Sequence, residues 1–61
     1  MYVVRNKVGH FYSETYFDGY FVEKLEFATK FETEEDAKEV ANIETNCEVF
    51  KVVTKITLEK I

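Results

Sequence analysis

The clearest pattern in the chain lies between residues 33 and 46. Ala37, Val40, Ala41 and Glu44 recur at i, i+3, i+4 and i+7, with Ile43 beside them. That spacing marks one face of a helix. Thr33 stands ahead of it, where its hydroxyl can accept from the backbone N–H of Asp36 while Asp36 reaches back to Thr33. This is a capping box with a shorter acid than the usual Glu or Gln. Glu34, Glu35 and Asp36 place negative charge on the positive end of the helix dipole. The spacing predicts a helix over 34–44, ended by Asn46 in a left-handed conformation. Its buried stripe would be Ala37, Val40, Ala41 and Ile43, narrow enough for close approach to a sheet.

Elsewhere the pattern alternates. Tyr2 to Arg5 reads as a strand, and Asn6 to Gly9 as a turn in which Gly9 takes positive φ. A second strand follows over 10–17, then an Asp18-Gly19 hairpin turn. Tyr20 to Phe27 reads as a third strand, with Phe21, Leu25 and Phe27 on one face. After the helix, the run 47–58 has period two: Phe50, Val52, Ile56 and Leu58 share one parity, which Thr54 interrupts. The order strand, strand, strand, helix, strand predicts one α+β domain over 1–61. It would be a mainly antiparallel sheet of three or four strands with one helix packed on a face. Phe27, Phe50 and Val40 are expected to meet under that helix. Were strands three and four parallel neighbours, their crossover would be right-handed.

The phrase Ala28-x-x-Phe31-x-Thr33-x-Glu35-x-Ala37 follows a strand, and the chain opens with Met1-Tyr2-Val3-Val4-Arg5. Together with the Val/Lys/Ile-rich end, these features resemble small uncharacterised proteins of phages and prophages of Gram-positive bacteria. The resemblance spans most of the chain. It implies a phage-like accessory protein in the host cytoplasm and carries over no catalytic or binding residue.

A chain of 61 residues has a marginal core, but ten of its residues are Phe or Tyr, which bury large areas each. The single cysteine, Cys47, allows no internal disulfide. With no signal-like or membrane-length apolar run, a reducing cytoplasm and no membrane are the expectation. The net charge of −4 is uneven. Residues 32–48 hold seven acids against one lysine, a net of −6, leaving +2 for the rest. The helix is the acidic surface, and the sheet is slightly basic.

No enzyme chemistry is expected. His10 and Cys47, the only residues of their kinds, fall in different elements, and a nucleophile needs its base and an orienting group beside it. Cys47 reads as a small apolar residue and His10 as a solvated turn residue. Glu34, Glu35 and Asp36 fan around the helix and do not converge on a metal. No cofactor is expected. The leading function is binding to another protein, a host protein among the candidates, through Glu34, Glu35 and Glu39, whose charge could mimic phosphates in a basic groove. The alternative is a single-stranded nucleic-acid binder using a Tyr/Lys sheet face of Tyr2, Arg5, Lys51 and Lys55. A pI near 4.9 disfavours it. Fully extended, residues 47–58 would span about 40 Å, more than the roughly 27 Å diameter of so small a domain. Unless the run bends near Thr54, Ile56, Leu58 and Ile61 would project and be covered by a second copy, making a homodimer.

Overall fold

The computed structural model describes residues 1–14, 20–44 and 46–61. The elements are β1 (Tyr2–Asn6), β2 (Phe11–Ser13), β3 (Tyr20–Val22), a 3-10 turn (Leu25–Phe27), α1 (Glu34–Ile43), β4 (Cys47–Val52) and β5 (Leu58–Lys60). The strands form one sheet in the order β3-β2-β1-β4-β5, with every neighbouring pair antiparallel. The domain is therefore α+β with one helix among the described residues, and its sheet has five strands where three or four were expected.

The extra strand comes from the C-terminal run, which is not one strand. Val53 and Thr54 donate their backbone N–H groups to the carbonyl of Thr57, and Ile56 N–H donates to Thr54 Oγ1. The chain reverses there, and Leu58 returns opposite Val52. Thr54, which breaks the apolar parity, is where the bend forms. The reversal keeps Phe50, Val52 and Leu58 on one face. The protein measures 27 × 21 × 21 Å, and neither β4 nor β5 outruns it. β3 and β4 are not neighbours, because β1 and β2 lie between them.

Side chains alternate across β1 and β4, which gives the sheet two cores. Val4 and Val49 are buried beneath α1 together with its own Ala37, with Tyr2, Tyr12, Phe31, Val40 and Ala41 packed around them. On the opposite face Val3, Phe11, Ala28 and Phe50 are buried, flanked by Val22, Leu25, Val52 and Leu58. Phe50 is thus on the far side of the sheet from Val40, since Val49 and Phe50 are neighbours in one strand. Phe27 joins neither core and is 58% exposed. The expected third strand stops at Val22. Phe27 N–H then bonds to Lys24 O and Ala28 N–H to Leu25 O, turning Phe27 outward.

The segment after this turn crosses the sheet. β1 and β2 pair at Arg5 and Phe11, but at the Tyr2 end the chain 29–31 lies between them. Tyr2 and Phe31 exchange two backbone hydrogen bonds of 2.8 Å, and Thr29 N–H donates to Tyr12 O. Ala28 remains in one core while Phe31 enters the other. This explains the spacing of Ala28 and Phe31: a small residue at the entrance, then an aromatic three positions on, stacked against Tyr12 at 6.4 Å.

Thr33 caps α1 as its position implied, its hydroxyl accepting from Asp36 N–H at 3.2 Å. Thr33→Ala should lower stability by about 1 kcal/mol, read as a shift in urea midpoint, and coincident midpoints would misplace the cap. The helix ends at Ile43, one residue short of 44, and Asn46 has φ 65° as expected. Gly9 likewise has φ 92°, in a turn fastened by Asn6, whose Oδ1 accepts from Val8 and His10 N–H. The buried stripe needs one correction: Ile43 is 70% exposed. At about 100° per residue, Ile43 sits about 240° round from Ala37 and faces outward, while Glu44 falls on the inner side.

Candidate functional site

Three surfaces carry the residues that sequence reasoning selected. The first is the outer face of α1. Glu35, Glu39 and Ile43, spaced four apart, form one exposed stripe along the helix, with Asp36 beside it. Glu34 is placed differently. It is half-buried, and its Oε2 accepts from Lys38 Nζ at 2.7 Å. That hydrogen bond, with the charge of Glu34, raises the Lys38 pKa. The outward surface is therefore Glu35 and Glu39 without Glu34, and it includes an apolar residue assigned to the core from sequence.

The second set, Tyr2, Arg5, Lys51 and Lys55, does not form one face. Tyr2 and Lys51 are cross-strand partners on the side of α1, and Tyr2 packs into the core there. Arg5 has the opposite parity, and its guanidinium lies 4.4 Å over the Phe50 ring. Lys55 is in the β4–β5 turn. The ring of Tyr12 in β2 is engaged by Phe21 and Phe31. Burial, with the charges of Glu14 and Glu44, raises its phenol pKa. Tyr16 and the Asp18-Gly19 turn lie outside the described residues.

The third set is the C-terminal trio. Leu58 is half-buried against Phe50 and Val52. Ile61 is on the other side, in a recess of about 300 Å³ that Lys38, Ala41, Cys47 and Val49 also line. Ile56 is at the turn, 92% exposed. The three do not share a surface, and the length argument for a second copy lapses with the bend.

The sheet order brings one further constellation into view. Asn6 pairs with Cys47 on one side, and its N–H donates to His10 O on the other. Two strand spacings, about 10 Å, separate the backbones of His10 and Cys47. Burial and the Glu44 carboxylate push the Cys47 thiol pKa up, the opposite of what a thiolate nucleophile uses. His10 Nε2 is 3.9 Å from Glu23. Among the described residues no group of three or more His, Cys, Asp or Glu could hold a metal, and no described helix is long and apolar enough to cross a membrane.

Comparison with protein-family models, curated proteins and solved structures finds no match.

Sequence reasoning did not anticipate a groove of about 850 Å³ on the face opposite α1. Met1, Leu25 and Val52 supply its apolar surface, and Lys24, Lys30, Lys55 and Glu26 its polar one. These residues come from the start of the chain, the 3-10 turn with its flanks from Lys24 to Lys30, the end of β4 and the β4–β5 turn. They form no contiguous motif, and only the tertiary fold unites them.

Proposed function

We propose that the chain is a noncatalytic, phage-like accessory protein that binds a basic partner protein through the outer face of α1. The observation that carries this reading is Ile43, 70% exposed in line with Glu35 and Glu39. Protein interfaces concentrate their energy in a few apolar anchors inside a polar rim. Here the rim is acidic, so the complementary surface is a basic one with a small apolar recess. A host nucleic-acid-binding protein presents that chemistry, with the two carboxylates standing where phosphates would. The resemblance to phage and prophage proteins supports the choice of a host partner.

Capture from a Gram-positive host lysate tests it, comparing the native chain with a Glu39→Lys/Ile43→Ala variant. Both positions are exposed, so the variant should stay folded, with stability changes of about 0.5 kcal/mol or less per site. The native chain should retain a basic protein that the variant loses, and retention should weaken as salt rises. The same proteins recovered with both baits would overturn the proposal.

A further inference from the structure

The groove opposite α1 lies outside the surface assigned above. Its floor is a continuation of the sheet's second core: Leu25 and Val52 pack, partly buried, against the cluster of Val3, Phe11, Ala28 and Phe50 and also line the groove. Met1 extends the apolar surface and is 58% exposed. Around the floor stand Lys24, Lys30 and Lys55, with Glu26 alone of opposite sign among the described residues. Three positive charges against one negative give a local net of +2, on a chain whose overall charge is −4.

The lysines are also available. Lys38 and Lys60 are occupied by Glu34 and Glu48. Among the described residues, Lys24, Lys30 and Lys55 have no carboxylate within ion-pair distance. Lys30 is half-buried, and its Nζ donates to Leu25 O at 2.6 Å. That bond fixes an ammonium beside the apolar floor and leaves two of its three donors for a ligand. Ordering this side chain before binding reduces the entropy lost when a partner arrives.

The geometry points to an acidic peptide segment of another protein as the occupant, with apolar side chains set between its carboxylates. Charge decides the sign of the ligand, because three unneutralised ammonium groups surround the floor. The open apolar floor decides its form. A single alkyl chain with one anionic head would leave most of the rim unpaired, whereas a peptide places several carboxylates along an apolar strip. Single-stranded nucleic acid is disfavoured because it takes an aromatic platform for its bases, and among the described residues no aromatic side chain lines this groove.

Selection from a displayed library of random dodecapeptides on the full chain tests the inference. The enriched sequence, made synthetically, is then titrated while backbone amide resonances are followed. Acidic sequences interrupted by Leu, Met or Phe should emerge, shifting Leu25, Lys30 and Val52 and sparing α1. Lys24→Glu/Lys55→Glu, at two exposed positions, should weaken binding about tenfold, and Lys30→Gln should weaken it with the sheet intact by circular dichroism. Any of four outcomes would overturn it: no enrichment, selected peptides without excess carboxylate, affinity unchanged in the charge-reversed variant, or displacement of the peptide by an equal concentration of dodecathymidylate. Glu39→Lys/Ile43→Ala should leave this binding unchanged, so the two surfaces can fail independently.

Discussion

Phe50→Ala should cost about 3–5 kcal/mol and leave the chain at or near its unfolding transition in water. Domains are stable by about 0.05–0.15 kcal/mol per residue, so 61 residues give roughly 3–9 kcal/mol to lose. Phe50 is 7% exposed and lies in β4, between Val3 of β1 and Lys60 of β5. It is the largest side chain shared by the sheet's second core, apart from Phe11. Removing its ring would leave a void that Val3, Val52 and Leu58 could fill only by moving strands. Arg5 would also lose the ring it lies over at 4.4 Å, a contact worth about 0.5–1 kcal/mol where solvent reaches it. The matched control is Phe27→Ala. It deletes the same atoms at a position 58% exposed, and should cost about 0.5 kcal/mol or less. Urea titrations followed by circular dichroism read both. A Phe50→Ala protein with a near-native midpoint would mean that this face of the sheet is not a core.

The contrast between Phe50 and Phe27 shows which parts of the fold could be read from the sequence. Signals that act within a turn or two were legible. Thr33 caps the helix, Asn46 and Gly9 take positive φ, and Tyr2 to Arg5 lies in a strand that runs one residue further, to Asn6. Each depends on local sterics and hydrogen bonding. Apolar parity was legible too, since Phe50, Val52 and Leu58 do share a face. The break in parity at Thr54 marked where the run could bend, but not that it reverses fully between Val52 and Leu58, because the turn there lacks Gly, Asn or Pro and is held by Thr54 and Thr57.

The Phe27 assignment failed for a different reason. Phe21, Leu25 and Phe27 fit a strand by spacing, but whether a strand continues depends on which neighbour is available to pair with it. At Glu23 the chain leaves β2 and turns, so that Ala28 and Phe31 can pass between β1 and β2. That crossing is a long-range event. The outer helix surface was half legible: acidic charge showed in composition, while the orientation of Ile43 required its angle to be weighed above its hydrophobicity. The groove was not legible at all, because its walls are more than twenty residues apart in the chain.

Ala37→Leu should destabilise the protein by about 1–3 kcal/mol, although leucine is nearly as good a helix former as alanine. Two effects oppose each other here. A larger apolar side chain gains about 25 cal/mol for each Å² it removes from water, provided that there is room. Ala37 is 0% exposed and faces Val4, also 0%, and Val49, 7%. Both valines are β-branched, stiff at χ1, and belong to the two central strands, β1 and β4. They cannot rotate away, and the strands beneath them are held by pairs running from Tyr2–Lys51 to Asn6–Cys47. The added methylenes must therefore lift α1, which pulls Val40 and Ala41 out of contact and strains the passage through Phe31. Overpacking outweighs transfer. The control is Ala41→Leu, at a half-buried helix position where a larger side chain can spread toward solvent, and it should stay within about 0.5 kcal/mol of the native protein. Methyl resonances of Val4 and Val49 should shift in the first variant more than in the second. If Ala37→Leu melts at or above the native urea midpoint with those methyls unmoved, α1 sits farther from the sheet than the burial of Ala37 requires.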